Sequence, residues 1–340
     1  MINIKALLGV GVVLTLLSLG SQANMLPEDE KPIWLSGIPP NMKMLKDFRR
    51  SHGGYVLQDK EGLYSKMLWL REGLDLTKSS YVSTSRGNFF LIDMQSDLQQ
   101  PIVNTTDSDS VSIKFGMPDE GYYSAYYMQR YVNAGVQYVN IAKAEVLKHS
   151  CQLGHDFDIN KMQPKQNNII PLEILRLRFD DENYHTRFNS GTKVLFKVLL
   201  NGEPLAAAEV TIATEEGWVR RSESNKEGLV SFDVIQDRFK NDNEEQGKEE
   251  NSRHQRRRSE QFLVSVQYKQ DIAGEYNGQR YQSTVYNSTF PGAFTSPEAI
   301  YKSSAYALSF GSAGFLLLGV GTYMYRRRRI KPFKEVDLDE

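Results

Sequence analysis

The stretch Ala305–Tyr325 constrains this chain more than any other feature: 21 residues without a charge, followed at once by Arg326-Arg327-Arg328-Arg329. Wound as a helix rising about 1.5 Å per residue, it covers roughly 31 Å, the thickness of a bilayer's hydrocarbon core. Tyr301, Tyr306, Tyr323 and Tyr325 lie near its two ends, where amphipathic rings favour the membrane interface. Gly311, Gly314, Gly319 and Gly321 would weaken a soluble helix but are common in membrane spans. An arginine block stays on the cytoplasmic side. The expectation is one transmembrane helix over 303–325 in contact with lipid, a basic cytoplasmic tail over 326–340, and everything before the helix outside the cytoplasm.

The other end agrees with that topology. Lys5 precedes an apolar run from Ala6 to Leu19, and Ser21-Gln22-Ala23 supplies the small residues of a cleavage site, so residues 1–23 read as a signal peptide. The single cysteine, Cys151, cannot form an intramolecular disulfide, and secreted domains of eukaryotes usually carry several. The address is therefore a bacterial cell envelope: a single-pass inner-membrane protein with a periplasmic N-terminal part. The sequons at Asn104 and Asn287 then have no glycosylation role. A formal net charge of −1 gives no global field for nucleic acid.

The exported part divides at about residue 168. Residues 24–168 read as an N-terminal β-rich region, irregular over 25–80 with a short helix over Glu61–Leu76. Strands follow at Asn88–Asp93, Val111–Phe115 and Gln137–Val146. The cluster Tyr122, Tyr123, Tyr126, Tyr127, Tyr131 packs a sheet with wet hydroxyls or offers a binding platform. Over 169–295 the alternation is clearer: Leu175, Leu177, Phe179, then Val194, Phe196, Val198, Leu200, then Val230, Phe232, Val234, then Phe262, Val264, Val266. Period-two patterning broken by turn residues predicts a mostly β chain, with an antiparallel β-sandwich that buries one face of each sheet. Asn201-Gly202 is a type I′ hairpin signal. Residues 238–260 are almost wholly polar and read as a disordered loop.

Asn201-Gly202-Glu203-Pro204-Leu205, then Ala208 to Ile212, then Asn225-Lys226-Glu227-Gly228 before Val230, resembles the prealbumin-like or carboxypeptidase-regulatory-like sandwich module. With the export signal, the weakly regular first half and the membrane segment, the frame is similar to the bacterial DUF4198 family. That resemblance implies a periplasmic, membrane-associated accessory of nickel or cobalt uptake, with transporter membrane subunits as partners. Many members start the mature chain with a histidine-bearing strand; Asn24-Met25-Leu26-Pro27 has none, so that metal site does not carry over.

The residues suited to chemistry are His149, Cys151, His155 and Asp156, close together in a chain with 5 histidines and 1 cysteine. Imidazole, thiolate and carboxylate suit a divalent transition metal, nickel or cobalt as well as zinc or copper. On a strand continuing to Cys151, His149 and Cys151 share a face. The spacing matches no finger pattern, and a buried cysteine flanked by solvated histidines is the plainer alternative. His185 reads as a strand-edge histidine or a further ligand. No nucleophile elbow, His-Glu-x-x-His, Walker loop or dinucleotide fingerprint occurs, so no catalytic residue is expected. The competing expectation to the metal accessory is a non-catalytic envelope scaffold that binds a protein or glycan.

Overall fold

The structure, a computed structural model, describes residues 31–41, 43, 48–51, 54–58, 60–93, 99–101, 104–107, 110–149, 162–235, 259–295 and 299–329. Its first strands are β1 (Ile33–Ser36), β2 (Phe48–Ser51), β3 (Gly54–Gln58), β4 (Tyr64–Glu72), β5 (Ser80–Tyr81) and β6 (Asn88–Asp93). Then come β7 (Gln99–Pro101), β8 (Asn104–Asp107), β9 (Ser110–Met117), β10 (Gly121–Asn133) and β11 (Val136–Lys148). The second half supplies β12 (Leu172–Arg176), β13 (Lys193–Leu200), β14 (Glu203–Pro204), β15 (Glu209–Thr214), β16 (Val219–Glu223) and β17 (Leu229–Asp233). It ends with β18 (Ser259–Gln270), β19 (Gly274–Tyr276), β20 (Gln279–Tyr281), β21 (Ser283–Thr295) and one helix, α1 (Ala299–Arg329).

An eight-stranded sheet, ordered β16-β15-β18-β21-β11-β10-β6-β7, is the middle layer. Its halves join where β11 runs parallel to β21, Val136 opposite Ser283 through Ala142 opposite Thr289. One sheet therefore takes strands from both sides of residue 168. A seven-stranded sheet of β1–β5, β8 and β9 covers one face. There Leu68, Leu70, Val111 and Ile113 meet Tyr123, Tyr127, Ala142 and Ala144. A four-stranded sheet of β12, β13, β14 and β17 covers the other, where Ile174, Phe196, Val198 and Phe232 meet Tyr126, Ile141, Val264 and Phe290. The sandwich expected over 169–295 is present, but its inner sheet is buried on both faces across β10 and β11.

Several local expectations change. The stretch Glu61–Leu76 has strand β4 at its centre rather than a helix: β4 bonds β9 and then β5 along one side, and β3 and then β1 along the other. Those ladders outweigh a weak helical propensity. Within β4, Lys66 is buried and its Nζ donates to the Tyr55 carbonyl at 2.9 Å. The tyrosine cluster is no platform, because Tyr122, Tyr123, Tyr126 and Tyr127 are buried. Nor are their hydroxyls wet. Tyr123 donates to the Asp119 carbonyl at 2.8 Å and Tyr126 to Glu173 at 2.7 Å. Ser259 and Glu260, placed in the polar loop, belong to β18; the rest of that loop lies outside the described residues. Asn287 is buried and bonds Asn140 at 2.8 Å and Gln267 at 3.1 Å, so its sequon is inaccessible in the fold.

The turns behave as their residues dictate. Asn201 and Gly202 both have positive φ, 51° and 89°, as a type I′ turn requires. Gly228 closes the Asn225 turn at φ 73°, and a Cβ there would stand 2.5 Å from the Val198 carbonyl oxygen. That neighbour is backbone inside a sheet and cannot yield. Gly228→Ala should lower stability by about 1–3 kcal/mol, measured by chemical unfolding; an unchanged midpoint would show that the turn relaxes freely.

Helix α1 carries the candidate span: Ala307–Arg329, 23 residues of mean hydropathy 1.4, with none of its apolar window buried. Leu308, Phe310 and Phe315 are at least three-quarters exposed, an arrangement that suits lipid and not water. The chain is thus a mostly β protein with a single C-terminal apolar helix, as fits a single-pass membrane protein. The signal peptide expected over 1–23 and the tail expected beyond Arg329 fall outside the described residues.

Candidate functional site

Strand register builds the site. Gly121 of β10 pairs with Lys148 of β11, so one step further along the ladder Glu120 comes level with His149. The contact is made: His149 Nδ1 lies 3.2 Å from Glu120 Oε2. The His149 side chain is fully enclosed, while the Glu120 side chain keeps 23% of its exposure. The strand ends at Lys148, so His149 stands just past its end rather than within it.

His185 is on a turn between β12 and β13, not on a strand edge. Asn183 shapes that turn: its side chain accepts from the His185 N–H at 2.8 Å, and its carbonyl accepts from the Thr186 N–H at 3.0 Å. The turn carries His185 Nε2 to 3.2 Å from His149 Nε2, with the rings nearly perpendicular at 86°. Tyr184 packs on the His149 ring, centroids 5.2 Å apart. The structure thus brings two of the expected ligands together over a 36-residue separation. Cys151, His155 and Asp156 lie outside the described residues.

Behind the histidines lies a buried ionic network with no counterpart in the sequence reading. Glu173 accepts from Lys143 Nζ at 3.0 Å, from the Tyr126 hydroxyl at 2.7 Å and from the Asn167 N–H at 2.9 Å. Arg176 grips Glu182 with two bonds, 2.8 and 2.6 Å. Arg178 reaches Glu145 at 2.8 Å and lies 3.8 Å over the Tyr122 ring. Three cations face three carboxylates, all with side chains at most 6% exposed. Burial pulls the Arg176 guanidinium down, but Glu182 and Glu145 outweigh it and hold it above its ordinary value. Burial pushes the Tyr122 phenol up, against the pull of Arg176. Because Glu182 also accepts from the Tyr122 hydroxyl at 3.3 Å and the Phe179 N–H at 3.1 Å, the network pins the start of the segment that presents His185.

The two imidazoles meet a geometric requirement for metal binding. Two nitrogens bound to one tetrahedral ion at about 2.0–2.1 Å stand roughly 3.3 Å apart, close to the observed 3.2 Å. Among the described residues, no group of three or more His, Cys, Asp and Glu side chains is arranged to hold an ion. Sequence reasoning missed Glu120 and Tyr184. Glu120 was within reach of it, since the Asp119-Glu120-Gly121 turn between two long strands sets it opposite the residue after Lys148.

A mostly β architecture with one apolar helix long enough to cross a membrane is the class that the fold defines. Compared with known proteins, the chain matches no family model and no curated relative, so the DUF4198 likeness rests on its motifs.

Proposed function

We propose that this is a membrane-anchored accessory protein of the bacterial envelope that binds a divalent transition-metal ion outside the cytoplasm. The observation that carries the reading is the 3.2 Å approach of His149 Nε2 to His185 Nε2, enclosed behind Tyr184 and backed by a carboxylate. Imidazole donors suit nickel, cobalt, zinc and copper, and Cys151, His155 and Asp156 supply further donors of fitting chemistry in the same stretch of chain. With the family resemblance, nickel or cobalt uptake is the process served: the protein captures or hands over the ion, and α1 holds it beside transporter membrane subunits in the inner membrane, with its tail in the cytoplasm. Tethering raises the effective concentration of such an accessory at its partner.

The test is calorimetric titration of the metal-free, reduced full chain in detergent with Ni²⁺, Co²⁺, Zn²⁺ and Cu²⁺. One ion per chain is expected, with affinity lost in His149→Ala/His185→Ala. No binding tighter than about 0.1 mM, worth only about 5.5 kcal/mol, would overturn the reading. A second reading, a non-catalytic scaffold for a protein or glycan, is favoured by the convergence of only two ligating groups among the described residues.

A further inference from the structure

We infer that Glu120 is the positioning residue of the histidine pair, fixing the His149 tautomer so that the Nε2 lone pair faces His185 and any incoming ion. This inference rests on the metal reading above but makes a claim about the metal-free protein as well.

A neutral imidazole carries one N–H and one lone pair, and its partners decide which nitrogen has which. Glu120 Oε2 stands 3.2 Å from His149 Nδ1. An ionised carboxylate can only accept, so it selects the Nδ1–H form. The lone pair is then on Nε2, the atom 3.2 Å from His185. In the metal-free protein His185 Nε2–H donates into that lone pair. A bound ion would take the donor's place, with the His185 proton moved to its own Nδ1. Histidine ligands commonly give their second N–H to a carboxylate, which orients the ring and raises its basicity.

The surroundings leave the ring little freedom to choose otherwise. The His149 side chain is fully enclosed. Tyr184 covers one side and His185 meets it edge-on. Lys148, the adjacent cation, sends its Nζ away to the Pro118 carbonyl. The direction of the Glu120 bond is also set by structure, because the β10–β11 ladder holds the two residues level.

The experiment reads the ¹⁵N shifts of the His149 ring in the metal-free full chain at pH 8, for wild type and Glu120→Gln, followed by Ni²⁺ and Zn²⁺ titration of both. Glutamine keeps the shape of the side chain but can donate as well as accept, so the one-way selection is lost. The expected result is an Nδ1–H tautomer in wild type, a mixed or reversed tautomer in the variant, and an affinity about 10–100-fold lower. An Nε2–H tautomer in wild type, or a variant with unchanged tautomer and affinity, would overturn the role. If wild type shows the Nδ1–H form and the variant loses it while neither binds metal, Glu120 positions the ring and the metal reading alone fails.

Discussion

Glu173→Leu should destabilise the protein by about 3–5 kcal/mol, the cost of leaving one member of a buried ion pair uncompensated. Glu173 and Lys143 are each about 1% exposed and 3.0 Å apart. The next carboxylate oxygen, Glu145 Oε1, is 4.0 Å from the ammonium, beyond hydrogen-bond reach, and the other oxygen of that carboxylate is held by Arg178. Leucine fills the space but offers no acceptor to Lys143, Tyr126 or the Asn167 N–H. Adding Lys143→Met to Glu173→Leu removes the stranded charge and should return about 2 kcal/mol or more, since a buried pair can often be exchanged for apolar residues without loss. Recovery stays partial because the Tyr126 hydroxyl and the Asn167 N–H still lack their acceptor, at about 1–3 kcal/mol each. Urea unfolding of the two variants decides it. A double variant no more stable than Glu173→Leu would mean that Lys143 had found another counter-charge.

Stability should rise as pH increases from about 8 towards 10, an unusual direction that traces to Lys66. Burial lowers its ammonium from 10.5 to about 8, and the residue is 3% exposed. Between the folded and unfolded values the unfolded chain binds the extra proton, so the slope of unfolding free energy with pH is positive there. A shift from 10.5 to about 8 corresponds to about 3 kcal/mol across the window. The tyrosines limit it from above. Burial holds Tyr123 and Tyr126 above the usual phenol range, so the unfolded chain ionises first beyond roughly pH 10 and their contribution is then lost. Lys66→Met should flatten the rise between pH 8 and 10 in thermal or urea unfolding. A slope that persists in this variant would assign it to another group.

What could be read in advance depended on whether one face or two were covered. The alternation of Val194, Phe196 and Val198, or of Phe262, Val264 and Val266, marks residues facing a core, and the structure buries all six. Alternation says nothing about the opposite face. Lys143 and Glu145 interleave with Ala142, Ala144 and Val146 as a solvated face would, yet β12 lies over them and converts that face into a charge network. β12 shows the same: Glu173 and Arg176 are as buried as Leu172 and Ile174. Helix α1 was legible because length and lack of charge suffice for a span. At the site, His149 and His185 were both named by residue type. Their meeting was not legible, since it depends on where an Asn183-shaped turn swings and on which residue β10 sets opposite the end of β11.

The parallel pairing of β11 with β21 carries a consequence for the order of assembly. Residues 136–142 find their partner only at 283–289, and β21 is the last strand before α1. A chain emerging from its N-terminus must hold both β11 and β18 with a bare edge until that final strand arrives. Non-local pairing of this kind is slow and leaves an edge open to wrong neighbours. Closure of the middle sheet therefore coincides with arrival of the helix, and a product stopped short of β21 would be an aggregation-prone half-sheet rather than a smaller working domain.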